Sequence, residues 1–436
     1  MNPNRRPSTA IAIAIAIAIA GAAEVADAGL ADSAWPMFQH DAQHSGRTDV
    51  AGPQGNVKIA WKQKTRSRLK GTVSVGTAGQ IFVPNGKNPL SAFDAATGAE
   101  LWQSSNHNGG HADRSSPAVS DTGVVYVGAR DNDLWACNVA TGQVNWRYHV
   151  PHDGDVTTPP TIASDGTIYM GSEALGAGWL YAMDPDGLPK WTIGGNVVGD
   201  NGDPNDAHVV LRGSFKNASP ALSKDESTVF VSTKRDAIAI RASDGYELWR
   251  AEIADKGFGS RHPNYAATVS NDGSKVYFPS KEGLWALNPT NGSSIWLFVP
   301  ENGEEIKSAA AIGADGDGTI YIGASKKKTK TFYALNPLDG SIKWKHQHTN
   351  KGKFSNNQAA IGSDGKVYVG LGKFVFCFDG QGDGSGGSRL LWSLPLAGKI
   401  DAGVIIGKPE MGDDPNGPEK GVLYVGAGKN LWKITD

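Results

Sequence analysis

Eight short strands with a central aromatic, eight regularly placed tryptophans and an unusual glycine content predict an all-β chain closed as a single eight-bladed β-propeller. The blades are expected to be four-stranded and antiparallel. An N-terminal strand is expected to complete the C-terminal blade and so close the ring. The 436 residues include 56 Gly and 13 Trp, and 20% are charged. That balance suits short strands and tight turns rather than helices, whose interiors disfavour glycine.

Three regions follow from the order of the chain: a secretory signal peptide at 1–28, a lead-in segment at 29–56 and the propeller at 57–436. Arg5 and Arg6 precede an Ile-Ala alternation from Ile11 to Ala20, and small residues including Ala26 and Ala28 follow. This is the basic, apolar and small-residue order of an export signal. The apolar run is shorter than the roughly 20 residues a spanning helix needs. The expected location is therefore the periplasm, the cell surface or the medium. A formal net charge of −2 supplies no general attraction to nucleic acid or anionic lipid. Cys137 and Cys377 fall in different repeats, so two unpaired thiols are expected.

The repeat has two phrases. In the first, a strand leads into Asp or Asn, a short turn, Gly, three residues and Trp. It reads AFDAATGAELW to Trp102, ACNVATGQVNW to Trp146 and AMDPDGLPKW to Trp191. It recurs at Trp249, Trp296 and Trp344, and in a stretched copy at Trp392. The second phrase centres on Phe82, Tyr126, Tyr169, Phe230, Tyr277, Tyr321, Tyr368 and Tyr424. It has eight copies against seven tryptophans, and Trp61 in NVKIAWKQK supplies the eighth from the other end of the chain.

Each unit alternates apolar residues on both faces and cannot bury them alone. Radial stacking buries them and leaves short protected edges. The structural docking residues are thus Trp61, Trp102, Trp146, Trp191, Trp249, Trp296, Trp344 and Trp392, each expected to lie between adjacent blades. Glycine before each Trp permits the positive φ of a tight turn, and Asp or Asn at its start can hydrogen-bond the turn backbone.

The phrase A-x-D-x-x-T-G-x-x-x-W, matched at every position by 92–102, resembles the tryptophan-docking motif of quinoprotein-type, PQQ-like propellers. The lead-in Trp35-Pro-Met-Phe-Gln-His-Asp-Ala-Gln-His-Ser-Gly resembles that of exported PQQ-repeat proteins. The resemblance implies the fold and admits two kinds of function. One is a dehydrogenase holding PQQ and Ca²⁺ on the propeller axis. This chain lacks the adjacent cysteines common in such enzymes and any C-x-x-C-H haem motif. The other is a non-catalytic propeller such as the periplasmic subunit that assists outer-membrane β-barrel assembly, typically lipid-anchored through an N-terminal Cys that is not found here.

Following one position round the innermost strands gives Lys70, Arg114, Thr157, Asn217, Asn264, Lys307, Asn356 and Asp401, all polar. They are expected to crown one mouth of the central channel. The set reads either as a ligand- or peptide-binding ring or as the wetted rim of a water-filled channel. Segments 171–178, 192–216 and 325–330 are expected to rise beside it as long loops, where binding commonly sits. Segments 380–388 and 408–420 should project from the opposite face.

Other clusters read as structural. Asp200, Asp203, Asn205 and Asp206, and also Asp315 and Asp317, offer oxygens suited to Ca²⁺ without a calcium-loop spacing. His40, Asp41 and His44 belong to a segment expected to cap the propeller. His346 and His348 are expected to face solvent, as are Lys326 to Lys328 with Lys330 at a loop tip. No catalytic residue and no metal ligand is assigned. The expected function is an exported binding or scaffold protein that needs no cofactor and recognises an envelope or extracellular protein, peptide or glycan. The alternative is a PQQ- and calcium-dependent alcohol or sugar dehydrogenase.

Overall fold

A computed structural model describes residues 29–86, 88–105, 112, 114–174, 177–195, 211, 218–233, 235–253, 265–314, 316, 318–327, 329–349, 358–408 and 421–436. The chain forms eight sheets arranged as successive blades, each built from strands that follow one another in sequence. The eighth blade is the exception. Its outermost strand, Lys58–Lys64, comes from the start of the chain and pairs antiparallel with the final strand, Asn430–Thr435. Trp61 lies opposite Lys433 there, so the ring closes as the repeat count requires.

The core is a set of wedges between blades. One cluster joins Tyr126 and Leu134 of blade two to Ile168 and Tyr181 of blade three. Another joins Tyr321 and Phe332 of blade six to Val369 and Phe378 of blade seven. Seven of the eight docking Trp follow one plan. The ring of each packs on the central aromatic of its own blade, as in Trp146 with Tyr126 at 5.7 Å and Trp249 with Phe230 at 6.1 Å between centroids. Its indole N–H donates to a turn carbonyl of the next blade: Trp102 to Val139 at 3.0 Å, Trp146 to Pro185 at 2.9 Å, Trp249 to Pro289 at 2.7 Å. The glycine of that next turn lies beneath the ring at positive φ, as Gly142 does under Trp102 and Gly292 under Trp249. A Cβ there would collide with the indole, so one residue satisfies both the turn and the docking.

Three features differ from the sequence expectation. Blade six has five strands, because Glu305–Ile306 pairs with Ser325 and Ala324 ahead of the innermost strand Ala311–Ile312. The expected loops at 171–178 and 325–330 are extensions of strand pairs: Ile168–Ala174 with Ala177–Met183, and Ile320–Lys326 with Thr329–Leu335. Continued ladder pairing satisfies their backbone groups more completely than a loop would. His346 and His348 are half-buried and not solvent-facing tips: they pack between blades against Phe376, Phe378 and Phe374, and burial lowers the pKa of both. Lys330 pairs across from His348 and is buried. Both cysteines are free, as expected; both are also buried, and burial pushes the Cys137 thiol up to about 12.

Candidate functional site: the channel mouth

The innermost strands carry small residues because eight of them converge on one axis. Hydroxyls belt them together: Ser115 donates to the Thr158 carbonyl at 3.1 Å, Thr161 to Pro220 at 2.6 Å and Thr268 to Ala310 at 3.0 Å. These bonds run from blade to blade and hold the channel wall rigid.

The lead-in segment closes one end of that channel by threading round it in chain order. The amides of Val75, Val119, Leu222, Val269, Ile312 and Ile361 occupy the same place in blades one, two, four, five, six and seven. They donate in turn to the carbonyls of Trp35, Pro36, Ala42, Gln43, Ser45 and Gly46, at 2.7 to 3.0 Å. Blade three is reached by His44, whose Nδ1–H donates to the Ala267 carbonyl at 3.0 Å while Nε2 lies 3.5 Å from the Thr161 hydroxyl. Blade eight is reached by the Gly421 amide, which donates to Ala51 at 2.7 Å. His44 is fully buried, and desolvation lowers its pKa to about 4, so it is neutral at physiological pH. Desolvation also works against ionised Asp41, but His40 and Ser45 outweigh it and its pKa is lowered. Among the described residues no group of three His, Cys, Asp or Glu could hold a metal ion. His44 binds the blades, and Asp41 holds the lead-in turn by accepting from the Ser45 amide at 2.8 Å.

With that end closed, the channel is a blind funnel. Lys70, Gly71, Thr72, Arg114, Ser116, Pro159, Tyr265 and Gln358 line it, and Phe38 of the lead-in reaches it from below. The pocket they line holds about 20 Å³, room for a water molecule. A second groove of about 370 Å³, bounded by Asn302, Glu304, Lys326, Lys327 and Thr329, lies beside the blade-six strand pair. Burial raises the Glu304 carboxyl pKa, and that carboxyl accepts from Thr331 and Tyr333 at 2.9 Å each.

The eight ring positions do not behave alike. Lys70 and Arg114 line the funnel together, Lys70 half-buried and Arg114 exposed. Lys307 is paired with Glu305 at 2.5 Å, and Asp401 is buried against Arg68 and Lys399. Thr157 is buried, and its hydroxyl has no hydrogen-bond partner among the described residues. Asn217, Asn264 and Asn356 lie outside the described residues, as do Asp200, Asp203, Asn205, Asp206, Asp315 and Asp317. Reading one position per blade missed Phe38, Tyr265 and Gln358. The repeat could have located the last two, which lie one or two positions beyond the ring in their own blades. Phe38, outside the repeat, gave no such signal.

The pocket that these described residues line is too small for PQQ. A ligand pocket commonly has 300–1,000 Å³, against about 20 Å³ here. Lys70 and Arg114 at its wall are cations rather than oxygen ligands for Ca²⁺. No helix among the described residues is long and apolar enough to cross a membrane.

Known proteins with this arrangement fall into more than one functional class. The chain is 27% identical over 218 residues to an outer membrane protein assembly factor BamB of Nitrosomonas eutropha, covering 49% of this chain and 48% of that one. It is 22% identical over 338 residues to a tetrathionate hydrolase of Acidithiobacillus ferrooxidans, covering 73% of this chain and 63% of that one. These matches thus span about half to three-fifths of the relatives' own lengths. Among solved structures it resembles the quinohemoprotein alcohol dehydrogenase of Comamonas testosteroni, with a TM-score of 0.70 and 13% identity over 92% of this chain and 80% of that one. That last likeness is one of fold alone. The family model described as outer membrane protein assembly factor BamB matches residues 50–194 and 176–408, and the chain belongs to that PQQ-like propeller family.

Proposed function

We propose that this chain is an exported, non-catalytic scaffold that receives an extended, acidic segment of an envelope protein at the mouth carrying Lys70 and Arg114. The observation that carries this reading is the pairing of a blind end with a cationic opening. The lead-in occupies one end of the channel, and two cations stand at the funnel above Phe38 and Tyr265. A carboxylate arriving at the rim meets charge-assisted donors. Membership of an outer-membrane assembly family supports a partner among envelope proteins and a periplasmic location.

Lys307 and Asp401 serve a different purpose in this reading. Their local ion pairs hold the rim in shape. Pull-down from envelope extracts tests the assignment. The double variant Lys70→Glu with Arg114→Glu is expected to lose its partner, and Lys307→Glu to lose less. Full recovery of the same partner by the double variant sinks the reading.

A further inference from the structure

The outermost strand of each blade has no further strand beside it among the described residues, although Lys345 of blade six bridges to Gly387, and such edges are ordinarily guarded by charge. Four of the eight carry a charge just after the docking Trp and three a neutral polar residue. The residue just after the docking Trp is Lys62, Gln103, Arg147, Thr192, Arg250, Lys345 or Ser393 in those blades, and Leu297 in blade five. Two positions further on, Val299 is the one branched aliphatic of the eight. From Gly292 to Pro300 blade five carries no charged residue. Its outer strand, Ser294–Phe298, turns Trp296 and Phe298 toward the blade six wedge. The alternate residues face out, with Ile295 45%, Leu297 36% and Val299 59% exposed.

We infer that this edge pairs with the same edge of a second copy of the chain, in antiparallel register about a two-fold axis. The charge pattern selects that occupant. Apposing Lys58–Lys64 or Ile342–Thr349 with its own copy sets several like charges along one ladder, which is destabilising. The blade-five edge can meet itself without any, and Ile295, Leu297 and Val299 then form one shared apolar strip. An antiparallel pair returns each residue to its own counterpart by symmetry, so the surface is self-complementary. A net charge of −2 adds little opposing repulsion. One strand pair buries far less than the roughly 800 Å² per partner of a standard interface, so the dimer is weak and concentration-dependent.

Sedimentation velocity of the whole chain, from about 1 µM to about 1 mM, measures the equilibrium directly. The wild-type chain is expected to shift from monomer to dimer across this range. Leu297→Lys, which installs the residue type found at Lys345 and Lys62, is expected to weaken association at least about tenfold, or about 1.4 kcal/mol. Its melting temperature should stay unchanged, since the position is exposed. Leu297→Asp should weaken association equally, and an equimolar mixture of the Lys and Asp variants should recover it. A chain that stays monomeric throughout, or a dimer indifferent to both substitutions, overturns the proposal. So would binding of an unrelated apolar strand peptide by a monomeric chain, because the occupant would then be different.

Discussion

Trp392 packs beside Tyr368 with ring centroids 5.9 Å apart, as each docking tryptophan does in its own blade, yet its indole N–H meets no acceptor among the described residues. The reason lies in the closure of the ring. The other seven indoles donate to a turn joining the third and outermost strands of the following blade. In blade eight those two strands come from opposite ends of the chain, Asn430–Thr435 and Lys58–Lys64, so no such turn exists for Trp392 to reach.

The two kinds of docking should therefore differ in energy. Trp146→Phe removes the 2.9 Å bond to Pro185 and strands that carbonyl, whereas Trp392→Phe removes no bond. Both rings are half-buried, so packing losses are comparable. Urea unfolding should show Trp146→Phe as more destabilising by about 1 kcal/mol. Equal losses would contradict the docking account.

Glycine beneath a docked indole should be less replaceable than glycine in an open turn. Gly292 has a φ of +70°, and a Cβ there would lie 2.5 Å from the Trp249 ring; Gly365 has a φ of +72° with nothing within 4 Å. Both alanine variants bear the strain of a left-handed residue, about 1 kcal/mol. Gly292→Ala adds overpacking of about 1–3 kcal/mol and should melt measurably lower than Gly365→Ala. Matching melting temperatures would contradict the contact.

His44 should make stability fall on mild acidification. Its pKa drops from 6.5 to about 4 on folding, so between those values the unfolded chain binds a proton that the folded chain refuses. Its contribution is complete above pH 6.5 and is lost as pH falls toward 4, amounting to on the order of 3 kcal/mol. Unfolding followed across this window should show a steeper loss for the wild-type chain than for His44→Gln. Parallel curves would show that His44 is not buried neutral against Ala267 and Thr161.

The blades were legible because each repeats a complete physical solution: aromatic, Asx, glycine, tryptophan. The path of the lead-in was not, since its bonds to the ring use backbone carbonyls, and residues 33–48 have no period to read. Phe38 was invisible as a funnel residue for the same reason. The channel ring was half legible. Polarity at Lys70, Arg114, Lys307 and Asp401 could be followed strand by strand, but which partner each charge finds depends on neighbours such as Glu305 and Arg68, which vary from blade to blade. His346 and His348 were misread because strand alternation tells which side a residue takes, not what the next blade brings to that side.

Site-directed photo-crosslinking tests the claim about the binding mouth most directly. The photoreactive residue p-benzoyl-phenylalanine is placed either at Arg114, beside the funnel, or at Ser385, in the turn between the third and outermost strands of blade seven, on the face the lead-in occupies. Arg114 is expected to yield a crosslinked envelope protein that disappears when Lys70 is changed to Glu, and Ser385 to yield none. Crosslinks from Ser385 alone, or crosslinks from Arg114 indifferent to Lys70→Glu, would contradict a scaffold that binds through its cationic mouth.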